Sequence, residues 1–221
     1  MSNSANTSNE IIDPRVLKRF DICQKIGQGA YGVVWKAVHR KTGNTVALKK
    51  CYDAFRCDTD AQRTYREVMY LKALSSSSSS LGQKSNNEEQ SEIGHPNIVK
   101  LLSLVRATKG NNADESTRLT TSRDLYVTFE YMETDLSQVI KAHILEPKHI
   151  QYVTYQLLYA LKYLHSAKLL HRDIKPSNIL IDSNCSIKIC DFGLCRSIAS
   201  DTNTPLESLI LTDYVATRWC K

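Results

Sequence analysis

The sequence predicts an α+β protein, with a first half of antiparallel sheet carrying one helix and a second half that opens helical. Three observations lead there. β-branched runs divided by glycine-bearing turns fill the stretch from Phe20 to Lys50. An apolar stripe at helical spacing begins just after Pro147. Two short apolar runs, Ile179-Leu180-Ile181 and Ile187-Lys188-Ile189, follow that stripe. The chain has 221 residues, 42% of them apolar and 24% charged, a normal globular balance that excludes collagen, a coiled-coil rod and a wholly disordered chain. No run of roughly 18 apolar residues exists, so no membrane span is expected. The first residues lack the basic and apolar regions of a secretory leader, and Ser2 stands where myristoylation needs glycine. A net charge of +6, without a block of like charges, gives no support to a nucleic-acid partner.

Taken in order, residues 1–18 are expected to be a disordered tail, Ser/Asn/Thr-rich at its start. Phe20-Asp21-Ile22-Cys23 alternates, and Gly27, Gly29 and Gly32 follow. Val33 to Val38 is β-branched, and the turn Lys41-Thr42-Gly43-Asn44 leads into Thr45-Val46-Ala47-Leu48-Lys49. Three antiparallel strands are expected. Asp58 to Leu74 reads as a helix, with Thr59 and Gln62 as a capping box and Tyr65, Val68, Leu71 and Leu74 at helical spacing. Six serines from Ser75 open a polar insertion to about Gly94, and a second polar stretch covers 107–123. Strand-like sequence resumes at Ile98 and again at Leu125, Val127, Phe129 and Tyr131, as a hairpin with a long loop. Ile150, Val153, Leu157, Leu161 and Leu164 form the stripe of the second helix, started by Pro147. Seven cysteines, none in C-x-x-C, offer no zinc spacing. They are expected to be reduced, mostly buried thiols of a cytosolic or nuclear protein.

The chemistry concentrates in a few segments. Ile26-Gly27-Gln28-Gly29-Ala30-Tyr31-Gly32-Val33-Val34 holds a G-x-G-x-x-G pattern. A dinucleotide fold needs a helix directly after the glycines, and here a β-branched strand follows. The pattern therefore points to a glycine flap over phosphates, with an ordinary glycine-rich hairpin as the alternative. Lys49 on the third strand has the reach for nucleotide phosphates and needs a carboxylate to hold it. Glu67 is the candidate, unless it sits on a solvated helix face. Lys50 points to the opposite side and is expected to be a solvated strand lysine. His171-Arg172-Asp173-Ile174-Lys175-Pro176-Ser177-Asn178 comes next, and Asp191-Phe192-Gly193 follows the two short strands. Asp173 suits orientation and deprotonation of a hydroxyl, Lys175 neutralises phosphoryl charge, and Asn178 and Asp191 supply oxygen ligands for Mg²⁺.

These segments, in this order, resemble the eukaryotic protein kinases. Phe129 to Leu136, and Thr212-Asp213-Tyr214 before Val215-Ala216-Thr217-Arg218-Trp219, are similar to the mitogen-activated protein kinases. Tyr52 to Arg56 and Thr59 to Glu67 most resemble the atypical extracellular-signal-regulated branch numbered seven/eight. The resemblance implies a bilobal protein-kinase-like fold with a complete β-rich upper lobe over 19–132 and a partial helical lower lobe over 133–221. It implies ATP and Mg²⁺ as cofactors and protein substrates, with autophosphorylation as a further expectation, in the cytoplasm and/or nucleus. Ile26, Gly27, Gly29, Gly32, Val34, Ala47, Lys49, Phe129 as gatekeeper, Glu130, Met132 and Leu180 would bind the nucleotide. Thr212 and Tyr214 would be phosphorylated, with Arg172 as one partner of the phosphates.

The family pattern runs on beyond Arg218-Trp219 to an A-P-E motif and further helices, whereas this sequence gives Cys220 and Lys221. A C-terminally truncated kinase is therefore expected. The alternatives are a truncated, catalytically inactive nucleotide-binding or scaffold module, and a fragment that does not fold alone.

Overall fold

In the computed structural model, residues 12–29, 32–55, 57–76, 94–107 and 124–198 are described. The expectations for residues 1–11, for most of both polar insertions, and for Thr212 and Tyr214 lie outside them. The described chain falls into two units, Met1–Ala61 with Leu101–Tyr131, and Gln62–Lys100 with Met132–Lys221.

The first unit starts with α1 (Pro14–Leu17), one turn capped by the Asp13 carboxylate, which accepts from the Arg15 N–H at 2.8 Å. Val16 in this turn is fully buried, and the Asp13 N–H donates to the Tyr126 hydroxyl at 3.0 Å. The tail expected over 1–18 is thus corrected at its end, because a buried valine and a capped turn fix residues 12–18. β1 (Phe20–Gly29), β2 (Gly32–His39) and β3 (Thr45–Cys51) follow as expected. The loop after β3 leads to α2 (Asp58–Ser76). β4 (Leu101–Arg106) and β5 (Leu125–Glu130) complete an antiparallel sheet of order β1-β2-β3-β5-β4.

Cross-strand register assigns the two faces of this sheet. Val33, Trp35, Ala37, Val46, Leu48 and Tyr126 lie on the face packed with Val16 and Phe20. Val34, Lys49 and Val127 line up on the other, next to the row Lys36, Ala47 and Phe129. Lys50 does lie opposite Lys49, but it is not solvated. It is 6% exposed, and its Nζ sits 3.2 Å from the Asp124 carboxylate and 5.5 Å from the Tyr52 ring centre. Burial demanded a counter-charge, which β5's approach brings to β3.

The second unit takes most of α2, then residues 94–100, β6 (Thr134–Asp135), α3 (Leu136–Lys141) and α4 (Pro147–Ser166). β7 (Leu169–Leu170), β8 (Ile179–Ile181), β9 (Ile187–Ile189) and β10 (Arg196–Ser197) follow. This division departs from a boundary at 132 alone, since 62–76 and 94–100 group with the later residues. Ile98 bridges Ile189, and the Val99 N–H donates to the Ile189 carbonyl at 3.0 Å. Asn97 donates to Gln156 of α4 and to the Ile187 carbonyl, both at 2.9 Å.

Both helices form where expected, although α2 runs to Ser76, two residues into the serine run, and their buried faces differ in detail. In α2, Thr64, Glu67, Leu71 and Leu74 are buried, while Tyr65 is 64% exposed. Thr59 is the second residue of α2, so it cannot cap it; its hydroxyl lies 3.1 Å from the Cys57 thiol. In α4, Val153, Ala160 and Leu164 are buried with Gln156, while Ile150 is exposed. Among the described cysteines only Cys51 and Cys195 are buried, fewer than expected, and burial pushes the Cys195 thiol up to about 12. No described helix is long and apolar enough to cross a membrane.

Candidate active site

In the first unit the glycine segment is the β1–β2 hairpin, with Gly27 paired to Val34 and Gly29 to Gly32. The three glycines are not equivalent. A Cβ on Gly32 would stand 2.0 Å from the Lys50 carbonyl oxygen, so the sheet itself requires glycine there. A Cβ on Gly29 would meet nothing within 4 Å. Packing does not demand glycine at Gly29, which leaves close approach to a ligand as a reason for it. Gly32→Ala is expected to cost about 1–3 kcal/mol, read as a lower denaturant midpoint, and Gly29→Ala close to nothing. A larger loss from Gly29→Ala would contradict this assignment.

Ile26 is exposed on β1, and Val34, Ala47 and Lys49 are half-buried on their shared face. The Lys49 Nζ lies 6.0 Å from the centre of the Phe129 ring, which is 8% exposed. Glu130 ends β5, half-buried.

In the second unit the hairpin of β8 and β9 does the assembling. Ile179 pairs with Ile189, and the Cys190 N–H donates to the Asn178 carbonyl at 3.0 Å. Asn178 and Asp191 therefore flank one pair of strand ends. The Asp182 carboxylate closes the turn by accepting from Asn184 and Ser186 N–H groups. Met132 and Leu180 are half-buried in this unit.

Asp173 is 5% exposed, and its Oδ2 accepts from Asn178 Nδ2 at 2.9 Å and faces Lys175 Nζ at 2.9 Å. Asn178 Nδ2 also donates to the Asp173 carbonyl at 2.9 Å. Its amide nitrogen is thus spent on Asp173, which leaves the side-chain carbonyl as the atom able to ligate a metal. With the Asp191 carboxylate this makes a hard-oxygen donor set that fits Mg²⁺, an ion that also keeps water and phosphate oxygens. No group of three or more His, Cys, Asp or Glu side chains able to hold a metal occurs among the described residues.

His171 fixes this loop from below and was not marked by the sequence reasoning as more than part of the motif. It is 3% exposed, its Nε2 donates to the Cys190 carbonyl at 3.0 Å, and its Nδ1 accepts from the Asp173 N–H at 3.3 Å. Phe192, fully buried, meets the imidazole edge-on at 4.9 Å. Burial holds the His171 pKa below its ordinary 6.5, and burial acts likewise on His95, which lies between the rings of Tyr159 and Tyr163. The unfolded chain then takes up these protons first as pH falls. Stability from these groups is complete above about pH 6.5 and is lost below it, by at most about 1.4 kcal/mol per pH unit for each histidine. Denaturant midpoints from pH 7.5 to 5 should fall accordingly, and His171→Gln should flatten the fall. A midpoint that rises on acidification contradicts the buried neutral state.

Glu67 is 6% exposed, which removes the solvated-face alternative for it. It lies in the second unit, and Lys49 lies in the first. Arg172 takes a left-handed backbone, φ +69°. Burial, and after it Arg196, lowers the pKa of both Arg66 and Arg172. Arg66 and Arg196 escaped the sequence reasoning, since only the fold of α2 and β10 brings them near Arg172.

Residues 20–81 and 82–220 match the protein kinase domain family, and the chain belongs to that family. It is 50% identical to extracellular signal-regulated kinase 2 of Dictyostelium discoideum, over 96% of this chain and 49% of that protein. It is 45% identical to mitogen-activated protein kinase 15 of Xenopus laevis, over 94% of this chain and 30% of that protein. With extracellular signal-regulated kinase 7 of Drosophila melanogaster it shares 46% identity, over 94% of this chain and 20% of that protein. The chain thus spans half or less of the length of these relatives.

Proposed function

We propose that the chain is the nucleotide-binding and catalytic part of an ATP-dependent serine/threonine protein kinase of the mitogen-activated type. The observation that carries this reading is the buried Asp173 carboxylate held between Lys175 and Asn178, beside the hairpin that carries Asp191. Asp173 orients the substrate hydroxyl and takes its proton, and Lys175 neutralises the phosphoryl group in flight. Asn178 and Asp191 hold Mg²⁺, which when bound draws charge off the nucleotide phosphates. Lys49, Gly27 and Gly29 of the first unit bind phosphates, and Glu67 of the second is the buried carboxylate that such a lysine calls for. Ile26, Val34, Ala47, Phe129 and the Glu130 backbone contact the adenosine, as do Met132 and Leu180 of the second unit. Phosphates on Thr212 and Tyr214 would meet Arg66, Arg172 and Arg196, and the lowered pKa values of Arg66 and Arg172 mark a site short of negative charge. Protein hydroxyls, the chain's own among them, are the acceptors, and the setting is cytoplasmic or nuclear.

The scaffold reading is not favoured, because each catalytic position carries the residue the chemistry needs. The test is a titration of ATP with and without Mg²⁺. Binding that tightens with Mg²⁺ is expected, and binding indifferent to it counts against the assignment of Asn178 and Asp191.

A further inference from the structure

Two ion pairs in this chain contrast sharply. Lys50–Asp124 has both side chains about 7% and 6% exposed and is a fixed part of the sheet. Arg63–Asp191 is a different kind of contact. Arg63 Nη2 donates to Asp191 Oδ2 at 3.0 Å, and the two side chains are 30% and 26% exposed. Both ends can rehydrate, so the pair exchanges partners at small cost.

The backbone makes room for this contact. Asp191 has φ +61° and opens the turn Phe192–Leu194. A Cβ on Gly193 would lie 2.5 Å from Arg63 Cγ and 2.9 Å from its Nε. The arginine stem therefore runs directly over a bare glycine to reach the carboxylate. Arg63 also sits one helical turn before the buried Glu67 on α2.

We propose that Arg63 is a cationic competitor for the metal at Asp191, holding the carboxylate until the dication takes it. The inference rests on the metal assignment made above for Asp191. A guanidinium and a dication cannot share one carboxylate without repulsion, so each weakens the other's hold. Arg63 thereby sets the Mg²⁺ concentration at which the nucleotide site becomes complete. It also couples α2 to metal occupancy, because one helix carries both Arg63 and Glu67.

The experiment is a Mg²⁺ titration at fixed concentration of a fluorescent ATP analogue, on the wild-type chain and on Arg63→Met, which keeps the stem and removes the charge. The variant should reach half-saturation at about tenfold lower Mg²⁺, the Coulomb effect of one nearby cation in a water-like medium. Melting of the metal-free proteins is recorded beside it, and Arg63→Gln is read the same way should Arg63→Met fold poorly. An unchanged or higher Mg²⁺ midpoint overturns the proposal, since a merely structural or positioning arginine cannot improve metal binding when removed. If the wild-type chain shows no Mg²⁺ dependence at all, the metal assignment has failed rather than the role of Arg63.

Discussion

Replacing Asp173 by asparagine is expected to lower phosphoryl transfer by the protein at its natural length between about a hundredfold and ten-thousandfold, while ATP binding persists. The substitution keeps the shape and removes the charge that Lys175 and Asn178 hold in place. Asparagine cannot accept the hydroxyl proton, so the loss falls on kcat and not on nucleotide affinity. The neighbours of residue 173 also lose a charged acceptor, so a modest fall in melting temperature accompanies the change. Steady-state kinetics with a protein substrate, set beside a nucleotide titration, separates the two effects. Turnover within threefold of wild type would leave the catalytic role of Asp173 without support.

The largest effect on stability is expected at Asp124→Ala. Lys50 then loses its carboxylate at 3.2 Å in a site where both side chains are almost wholly buried. The Asp53 N–H, which donates to Asp124 Oδ1 at 3.1 Å, loses its acceptor too. Removing one partner of a buried pair costs about 3–5 kcal/mol. Lys50→Met in the Asp124→Ala background should recover part of that loss, because no charge is then left buried. Urea melts of the single and double variants check this. Equal stability of Asp124→Ala and wild type would mean that the pair contributes nothing to the sheet.

The same pair shows where sequence reasoning stopped. Strand parity correctly placed Lys49 and Lys50 on opposite faces, because alternation is a local property of extended backbone. It could not show what covers the far face, since Asp124 arrives through long-range pairing of β3 with β5. The local geometry of the candidate segment was legible because its residues are close in sequence and joined by a short hairpin. Asn178 and Asp191 needed only the turn at Asp182 to come together. Apolar periodicity, by contrast, chose Tyr65 over Thr64 and Glu67 as the inward face of α2. A buried glutamate breaks the apolar pattern, and periodicity alone cannot see that. Gln156 was hidden for the same reason. Its amide joins Asn97, the Cys185 carbonyl and the Ile187 N–H across three segments, a network that only the folded chain brings together. The contact of Arg63 with Asp191 was equally illegible, since it spans 128 residues and needs the turn that Asp191 opens.

Acting as proposed, these residues move the terminal phosphoryl group of ATP to a protein hydroxyl. The most direct measurement is transfer of label from γ-labelled ATP to serine and threonine of a protein substrate, with α-labelled ATP as the control, by the protein at its natural length. Mg²⁺-dependent incorporation from the γ position alone is expected, lost in Asp173→Asn. Tight Mg²⁺-dependent ATP binding with no transfer from the γ position to any protein hydroxyl, the chain's own included, would contradict it.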